Sequence, residues 1–324
     1  MLKSFFGNKK TGKKQLESFE KTNERDVNED FGNVPEKIVT DPYIQHAWVG
    51  IAVELLARNI ARAKYEVLRN GKPVTDTPAA RLFEQPGGMT SGYDLWYETC
   101  SWWNIEGEAF WYFGDSYVCG IPEQLIVMNP RHMQHVVSGG QIVKWYYTGD
   151  EKYNPFFILP DEIVHFRKWN PWNVWRGVCP LVSLGTELEQ DILAGRQNTG
   201  LLKEGGIPKG LLKTDQIINE SEADQLERRW ERKYGNKSKC KVAIIGKGTK
   251  YQKLTFSPDE LQLFDTKKWN LYTILAKYGI PPRVANIQDS KSSLSGSDTK
   301  EQHAAYWKYT LIPLLQEYER LTDV

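Results

Sequence analysis

Glu106 and Glu108 stand two residues apart in a tryptophan-rich segment, a setting in which a glycosidase could hold its acid and its nucleophile. That chemistry needs the carboxylates on either side of a scissile bond. Residues two apart on a strand instead share one face, so the expected setting of this pair is a solvated strand edge. His132 and His135 form the one close pair among five histidines. No third ligand lies at readable spacing, so they read as surface or strand-edge residues and no metal site is expected. The phosphate-cradling pattern G-x-x-x-x-G-K-[ST] does not occur, and neither Gly246-Lys247-Gly248-Thr249 nor Thr11-Gly12-Lys13-Lys14 completes it. No G-x-S-x-G elbow is present. Cys100, Cys119, Cys179 and Cys240 form no C-x-x-C pair, which argues against a zinc or disulfide scaffold and for a reducing setting. No catalytic residue and no cofactor are therefore expected. An enzyme acting on nucleic acid or glycan, with an aromatic substrate-binding first half, stands as the second hypothesis.

The remaining polar chemistry lies in two places. One is the run Gln288–Gly296, in which Ser290, Lys291, Ser292, Ser293 and Ser295 crowd around a single cation. Such a loop buries little and costs conformational entropy to order, so it suits contact with something large and sequence-neutral. The other is residues 203–255, which hold thirteen Lys or Arg against seven Asp or Glu, a local balance of +6 inside a chain whose net charge is only +1. Arg228, Arg229, Arg232 and Lys233 concentrate that charge. They suit DNA, an acidic protein patch or a neighbouring subunit, and a solvated helix face would look the same.

These segments need elements to position them. With 324 residues, 40% hydrophobic and 26% charged, the chain is long enough for two domains, and no apolar run approaches the length of a membrane span. Residues 1–40 read as a weakly ordered arm with a basic cluster at Lys9, Lys10, Lys13 and Lys14. Apolar spacing predicts a helix over 43–63, a strand at 65–69 turned by Asn70-Gly71, a short helix over 78–83 and a helix over 91–104. Aromatic and β-branched runs at 109–113, 124–128, 136–137, 142–147 and 163–166 predict a mixed or antiparallel sheet, hence an α+β first half. A helix over 181–202 follows, then short strands near 211–212, 242–245 and 251–254 around a helix at 221–234. Ser257-Pro258-Asp259-Glu260 is a capping box opening a helix that Gly279-Ile280-Pro281-Pro282 stops. The last helix starts near Ser297 and is expected to bend at Pro313.

Several blocks, in order, resemble the HK97-type tailed-phage portal proteins. Gly177-Val178-Cys179-Pro180-Leu181 resembles the family's Gly-x-Ser-Pro-Leu signature, with Cys in place of the usual Ser. Gly205-Gly206-Ile207-Pro208-Lys209-Gly210 is similar to its Asn-Gly-Ala-Pro-x-Gly turn, and Trp230 to Asn236 to its Trp…Tyr-Gly helix. Ile244 to Leu254 with Ser257 to Gln262 is similar to its strand–turn–strand and helix start. Ile274 to Pro282 resembles Ile-Ala-x-x-Phe-Gly-Val-Pro-Pro. The resemblance spans residues 176–321. It implies an α+β portal-like architecture: an arm (1–40), a wing (41–176), two stem helices (177–202 and 257–280) flanking an α/β clip (203–256), a tunnel loop (281–298) and a C-terminal helix (299–324). Members of that family generally continue into a helical crown, which is expected to be absent or truncated here, where the sequence stops at Val324. It also implies a homo-oligomeric ring, usually a dodecamer, at one capsid vertex of the virion, assembled in the bacterial host cytoplasm. Its partners would be double-stranded DNA, the large subunit of the terminase motor, the major capsid protein and connector or adaptor proteins, without a membrane. Ser290, Lys291, Ser292, Ser293 and Ser295 would face DNA, and Arg228, Arg229, Arg232 and Lys233 would meet a partner or DNA.

Overall fold

The computed structural model describes residues 41–75, 77–118, 120–203, 211–213, 243–245, 250–252, 263–287 and 296–322, with single positions 221, 224, 225 and 228. The described chain forms two compact units: one from the residues up to Gly185 together with those from Ile274 onward, the other from Thr186–Thr273.

The first unit opens with two helices rather than the single one expected, α1 (Pro42–Gln45) and α2 (Ala47–Ala61), separated at the extended, buried His46. The hairpin β1 (Leu68–Arg69) and β2 (Lys72–Pro73) turns through Asn70 and Gly71, both at positive φ, as a tight two-residue turn demands. Next come α3 (Pro78–Glu84), N-capped by Thr77, and α4 (Gly92–Ile105). A reciprocal Ser91–Asp94 capping box fixes the start of α4. Its face bearing Leu95, Thr99, Cys100 and Trp103 is fully buried, and α4 packs on α2.

The strands are β3 (Glu108–Tyr112), β4 (Tyr117–Val118), β5 (Ile121–Pro122), β6 (Ile126–Met128), β7 (Met133–Ser138), β8 (Gln141–Tyr147), β9 (Phe156–Ile158) and β10 (Ile163–Arg167). They make two antiparallel three-stranded sheets, ordered β10-β3-β6 and β7-β8-β9, plus the small β4-β5 hairpin. The third strand of the second sheet, β9, carries only three residues between Pro155 and Pro160 and was not anticipated. Every residue of β3 is buried, because both faces of its sheet are covered. Phe110 and Tyr112 pack with Met128, Met133, Trp145, Tyr147 and Ile158, joining the two sheets. On the other face, Trp111 meets Trp96 edge-on at 5.1 Å and donates its indole N–H to Thr99 Oγ1 at 2.7 Å. A helical layer thus sits on one sheet, which packs on another.

In the second unit, α5 (Gly185–Lys203, continuing from the first unit) follows a 3₁₀ turn at Val182–Leu184, so it starts later than Leu181. The strands β11 (Leu211–Lys213), β12 (Ala243–Ile245) and β13 (Lys250–Gln252) form a small sheet with β11 central, parallel to β12 and antiparallel to β13. α6 (Leu263–Lys277) leads back to the first unit. Within the second unit it is tied to α5 by Asn270 Nδ2 donating to Glu187 O at 3.2 Å and by Lys267 Nζ 3.6 Å from Asp191 Oδ1.

The last helix is α7 (Gly296–Tyr306) and α8 (Ile312–Thr322), joined by a π-helical segment at Trp307–Leu311. Pro313 has no N–H and its ring crowds the carbonyl four residues back, so the turn widens and Ile312 N–H bonds Trp307 O instead. α8 docks through Tyr318, which is buried against Trp96, Trp103 and Phe166.

Candidate functional site

Of the two carboxylates weighed for catalysis, Glu108 occupies a buried clamp. Glu108 opens β3, and His165 on β10 is its diagonal neighbour, because Glu108 pairs with Arg167 and Phe110 with His165. Glu108 Oε2 accepts from His165 Nε2 at 3.0 Å and from the Gly177 N–H at 3.0 Å. Its Oε1 accepts from Arg176 Nε at 2.8 Å and from Nη2 of the same guanidinium. Arg176 spends its other donors on the carbonyls of Met133 (2.7 Å) and Pro130 (3.1 Å). Burial pushes the Glu108 carboxyl up, but the His165 hydrogen bond and the Arg176 charge outweigh it and hold the group at about 2. Burial in turn pushes His165 below its ordinary value, so the neutral ring donates from Nε2 to the carboxylate.

An ionised carboxylate surrounded by four donors has no proton to give and no attacking lone pair. It holds the fold together. The solvated-edge expectation is therefore corrected for Glu108, which is 3% exposed. Glu106 does not share its face, because Gly107 turns the chain between them at φ +80°. Glu106 caps α4 and accepts from Arg131 Nε at 2.6 Å, while Arg131 also pairs with Asp41. The histidine pair separates too: His135 is buried beside Trp145, whereas His132 Nδ1 lies 3.2 Å from Thr148 Oγ1. Among the described residues no group of three or more His, Cys, Asp or Glu could hold a metal ion.

The clamp secures the segment that carries the Gly-x-Cys-Pro motif. A Cβ on Gly107 would lie 1.9 Å from Val178 O, and one on Gly177 would lie 2.2 Å from Gly107 O, so both positions need glycine for backbones to touch. Cys179 donates its S–H to Ile105 O at 2.9 Å, so the thiol makes the hydrogen bond that a serine hydroxyl could also make. Spacing singles out Glu108 but not its partners, His165 and Arg176. The available signal was a charged residue opening an otherwise apolar strand, together with a histidine inside Ile163–Phe166.

The loop residues Ser290, Lys291, Ser292, Ser293 and Ser295 lie outside the described residues, as do Arg229, Arg232 and Lys233, the N-terminal arm and the Ser257–Glu260 cap. Arg228 is helical and exposed. What is described is the base of the loop, within the first unit. α6 ends in paired bonds, Ile280 N–H to Leu275 O (2.9 Å) and Gly279 N–H to Ala276 O (3.0 Å), with Gly279 left-handed at φ +65°. Residues 281–287 then fold through Val284 N–H to Pro281 O, Asn286 N–H to Arg283 O and Ile287 N–H to Pro282 O. Thr310 Oγ1 donates to Gly279 O at 2.6 Å and Arg283 N–H to Gln302 Oε1 at 3.4 Å, tying this base to α7 and the π segment. Residues 281–287 thus form a folded support tied to α7 and the π segment.

The model of the phage portal protein family matches residues 47–323. This chain belongs to that family. An uncharacterized protein of Rickettsia bellii is 22% identical over 303 residues, covering 89% of this chain and 76% of its own length. Among solved structures, the neck of an empty gene transfer agent (GTA) particle, computed with C6 symmetry, aligns with TM-score 0.65 at 18% identity over 89% of this chain and 80% of its own. The neck of a native GTA particle computed with C12 symmetry gives TM-score 0.62 at 18% identity, over 89% and 79%. An HK97 family phage portal protein from Corynebacterium diphtheriae gives 0.57 at 14% identity, over 89% and 90%. The mixed α/β fold is thus that of known portal proteins, and the likeness covers both units.

Proposed function

We propose that this chain is the subunit of a portal ring at one capsid vertex, a non-catalytic channel through which double-stranded DNA is packaged and ejected. The observation that carries the reading is the family match across residues 47–323. The doubly supported loop base supports it, since a channel lining must be held firmly while its contents move. In this reading residues 41–176 are the wing, 177–202 and 257–280 the stem helices, 203–256 the clip, 281–298 the tunnel loop and 299–324 the closing helix. Ser290, Ser292, Ser293 and Ser295 offer short hydroxyls and Lys291 one charge per subunit. That touches phosphates without reading bases and avoids the strong fixed binding that would stall movement. The clip, with Arg228, Arg229, Arg232 and Lys233, meets the terminase motor or DNA, while wing residues meet capsid and connector proteins. C12 symmetry in a structural relative supports twelve copies. Twelve 37.4-kDa chains make a particle of about 450 kDa. Light scattering and negative-stain imaging of the purified chain test this: annular particles of that order are expected, and a monomer at every concentration would refute the reading.

A further inference from the structure

The segment Trp169-Asn170-Pro171-Trp172-Asn173-Val174-Trp175 joins β10 to the clamp, and its apolar side chains face outward. Trp169 is 81% exposed, Trp172 51% and Val174 60%. Exposed tryptophans on a floppy loop would collapse onto the nearest apolar surface, but this segment is fixed. Asn170 is buried, and its Oδ1 accepts from the N–H groups of Trp172 (3.0 Å) and Asn173 (3.2 Å), while its Nδ2 donates to Gly177 O at 3.3 Å. Asn173 Oδ1 accepts from the Trp175 N–H at 2.8 Å. The far end is held by the Gly177 N–H and Arg176, both bonded to Glu108. The fold thus holds an aromatic surface in water without letting it bury itself.

Trp175 continues this surface into a cavity of about 280 Å³, lined also by Ile142, Trp145, Pro160, His165 and Arg167. His165 at its wall is stacked on Phe110 at 4.2 Å and pinned by Glu108, so the hollow is preformed. A protruding aromatic segment beside an apolar hollow has the composition of a permanent protein interface, with tryptophan enriched and charge depleted. Duplex DNA is the wrong occupant, since Arg167 is the one cation on the cavity wall and backbone binding needs several.

We propose that the Trp169–Trp175 segment and the adjoining Trp145–Trp175 hollow are the anchor of the contact between neighbouring copies of this chain. The proposal rests on the ring reading above and adds to it the surface that closes the ring. A head-to-tail ring gives each copy the same permanent neighbour, which suits a rigid apolar anchor better than a transient visitor does. At roughly 150–250 Å² of buried surface per tryptophan, two of them supply a hot spot within an interface of about 800 Å² per partner, not the whole contact.

The test compares the full chain with Trp172→Glu and Trp172→Phe by light scattering across a concentration series. Glu at this position is expected to raise the concentration needed for assembly roughly 30-fold or more, while Phe leaves assembly near wild type. Hydroxyl-radical footprinting of the wild-type chain gives a second readout that does not depend on a variant folding. Trp169 and Trp172 should be oxidised in the free subunit and protected in the assembled particle. If Trp172→Glu assembles like wild type, or the two tryptophans oxidise equally in both states, the anchor assignment fails while the ring reading stands. If the wild-type chain never assembles, both fail.

Discussion

Glu108 shows how one residue can invert its apparent meaning. In the sequence it is a carboxylate near tryptophans, and only partners 57 and 68 positions away, His165 and Arg176, turn it into an interior clamp. Its folded pKa of about 2 lies below the ordinary 4.5, so its stabilising contribution is fully present above about pH 4.5 and is lost as pH falls towards 2. The size of that pH-dependent contribution is about 3 kcal/mol. Glu108→Gln removes the charge that Arg176 faces, so chemical unfolding at pH 7 should show a loss of about 3 kcal/mol. The gap to wild type should close as the measurement moves to pH 3 and below. A gap of constant size from pH 7 to pH 2.5 would mean that the carboxylate is not held ionised. None of this was legible from spacing, because the partners meet it through strand pairing and a backbone contact, not through local pattern. The strand assignment itself misled: Gly107 ends the turn, so Glu106 and Glu108 belong to different elements.

At the scale of elements, patterns with a local cause were readable and those with a tertiary cause were not. The stop of α6 at Gly279 followed Gly-x-Pro-Pro chemistry, and the Asn70-Gly71 turn followed its need for positive φ. The existence of α2, α4 and the main strands followed apolar period. The split at His46, the three-residue β9 and the π segment before Pro313 did not, since each depends on how the chain fits its neighbours. α8 illustrates the point. Its sequence alternates apolar residues (Ile312, Leu314, Leu315, Leu321) with Gln316, Glu317, Glu319 and Arg320, which predicts a helix but not its partner, and its docking rests on Tyr318 among Trp96, Trp103 and Phe166. Tyr318→Ala should therefore cost about 3–5 kcal/mol and leave α8 undocked, visible as a lower unfolding midpoint and early protease cleavage after residue 311. Gly279→Ala is a gentler probe of the loop base. A methyl there enters left-handed backbone and lies 2.6 Å from Thr310 Oγ1, so about 1–2 kcal/mol should be lost, with the bond from Thr310 to Gly279 O weakened. An unchanged midpoint would show that the base does not need this turn.

Along the chain, the excess of positive charge and the exposed tryptophans fall in different segments. The net charge is +1, yet residues 203–255 carry +6, which leaves −5 for the rest of the chain. Each subunit is close to neutral at +1, so net charge puts little repulsion between neighbouring copies. If the contact between copies is anchored by Trp169 and Trp172, attraction between them is apolar and indifferent to screening. If instead the basic residues around Arg228 pair with acidic residues of the neighbour, attraction is Coulombic. The two differ under salt. Raising NaCl from about 0.1 M to about 1 M shortens the Debye length from roughly 10 Å to roughly 3 Å, which removes most exposed ion pairing. Particle mass by light scattering is expected to hold across that range, while any association with duplex DNA falls steeply because released counterions oppose it. Dissociation of the particle at high salt would place the subunit contact on the charged 203–255 segment and leave the tryptophans to another partner. A particle that holds its mass while losing DNA would separate the two surfaces: an apolar one that builds the ring and a basic one that meets what passes through it.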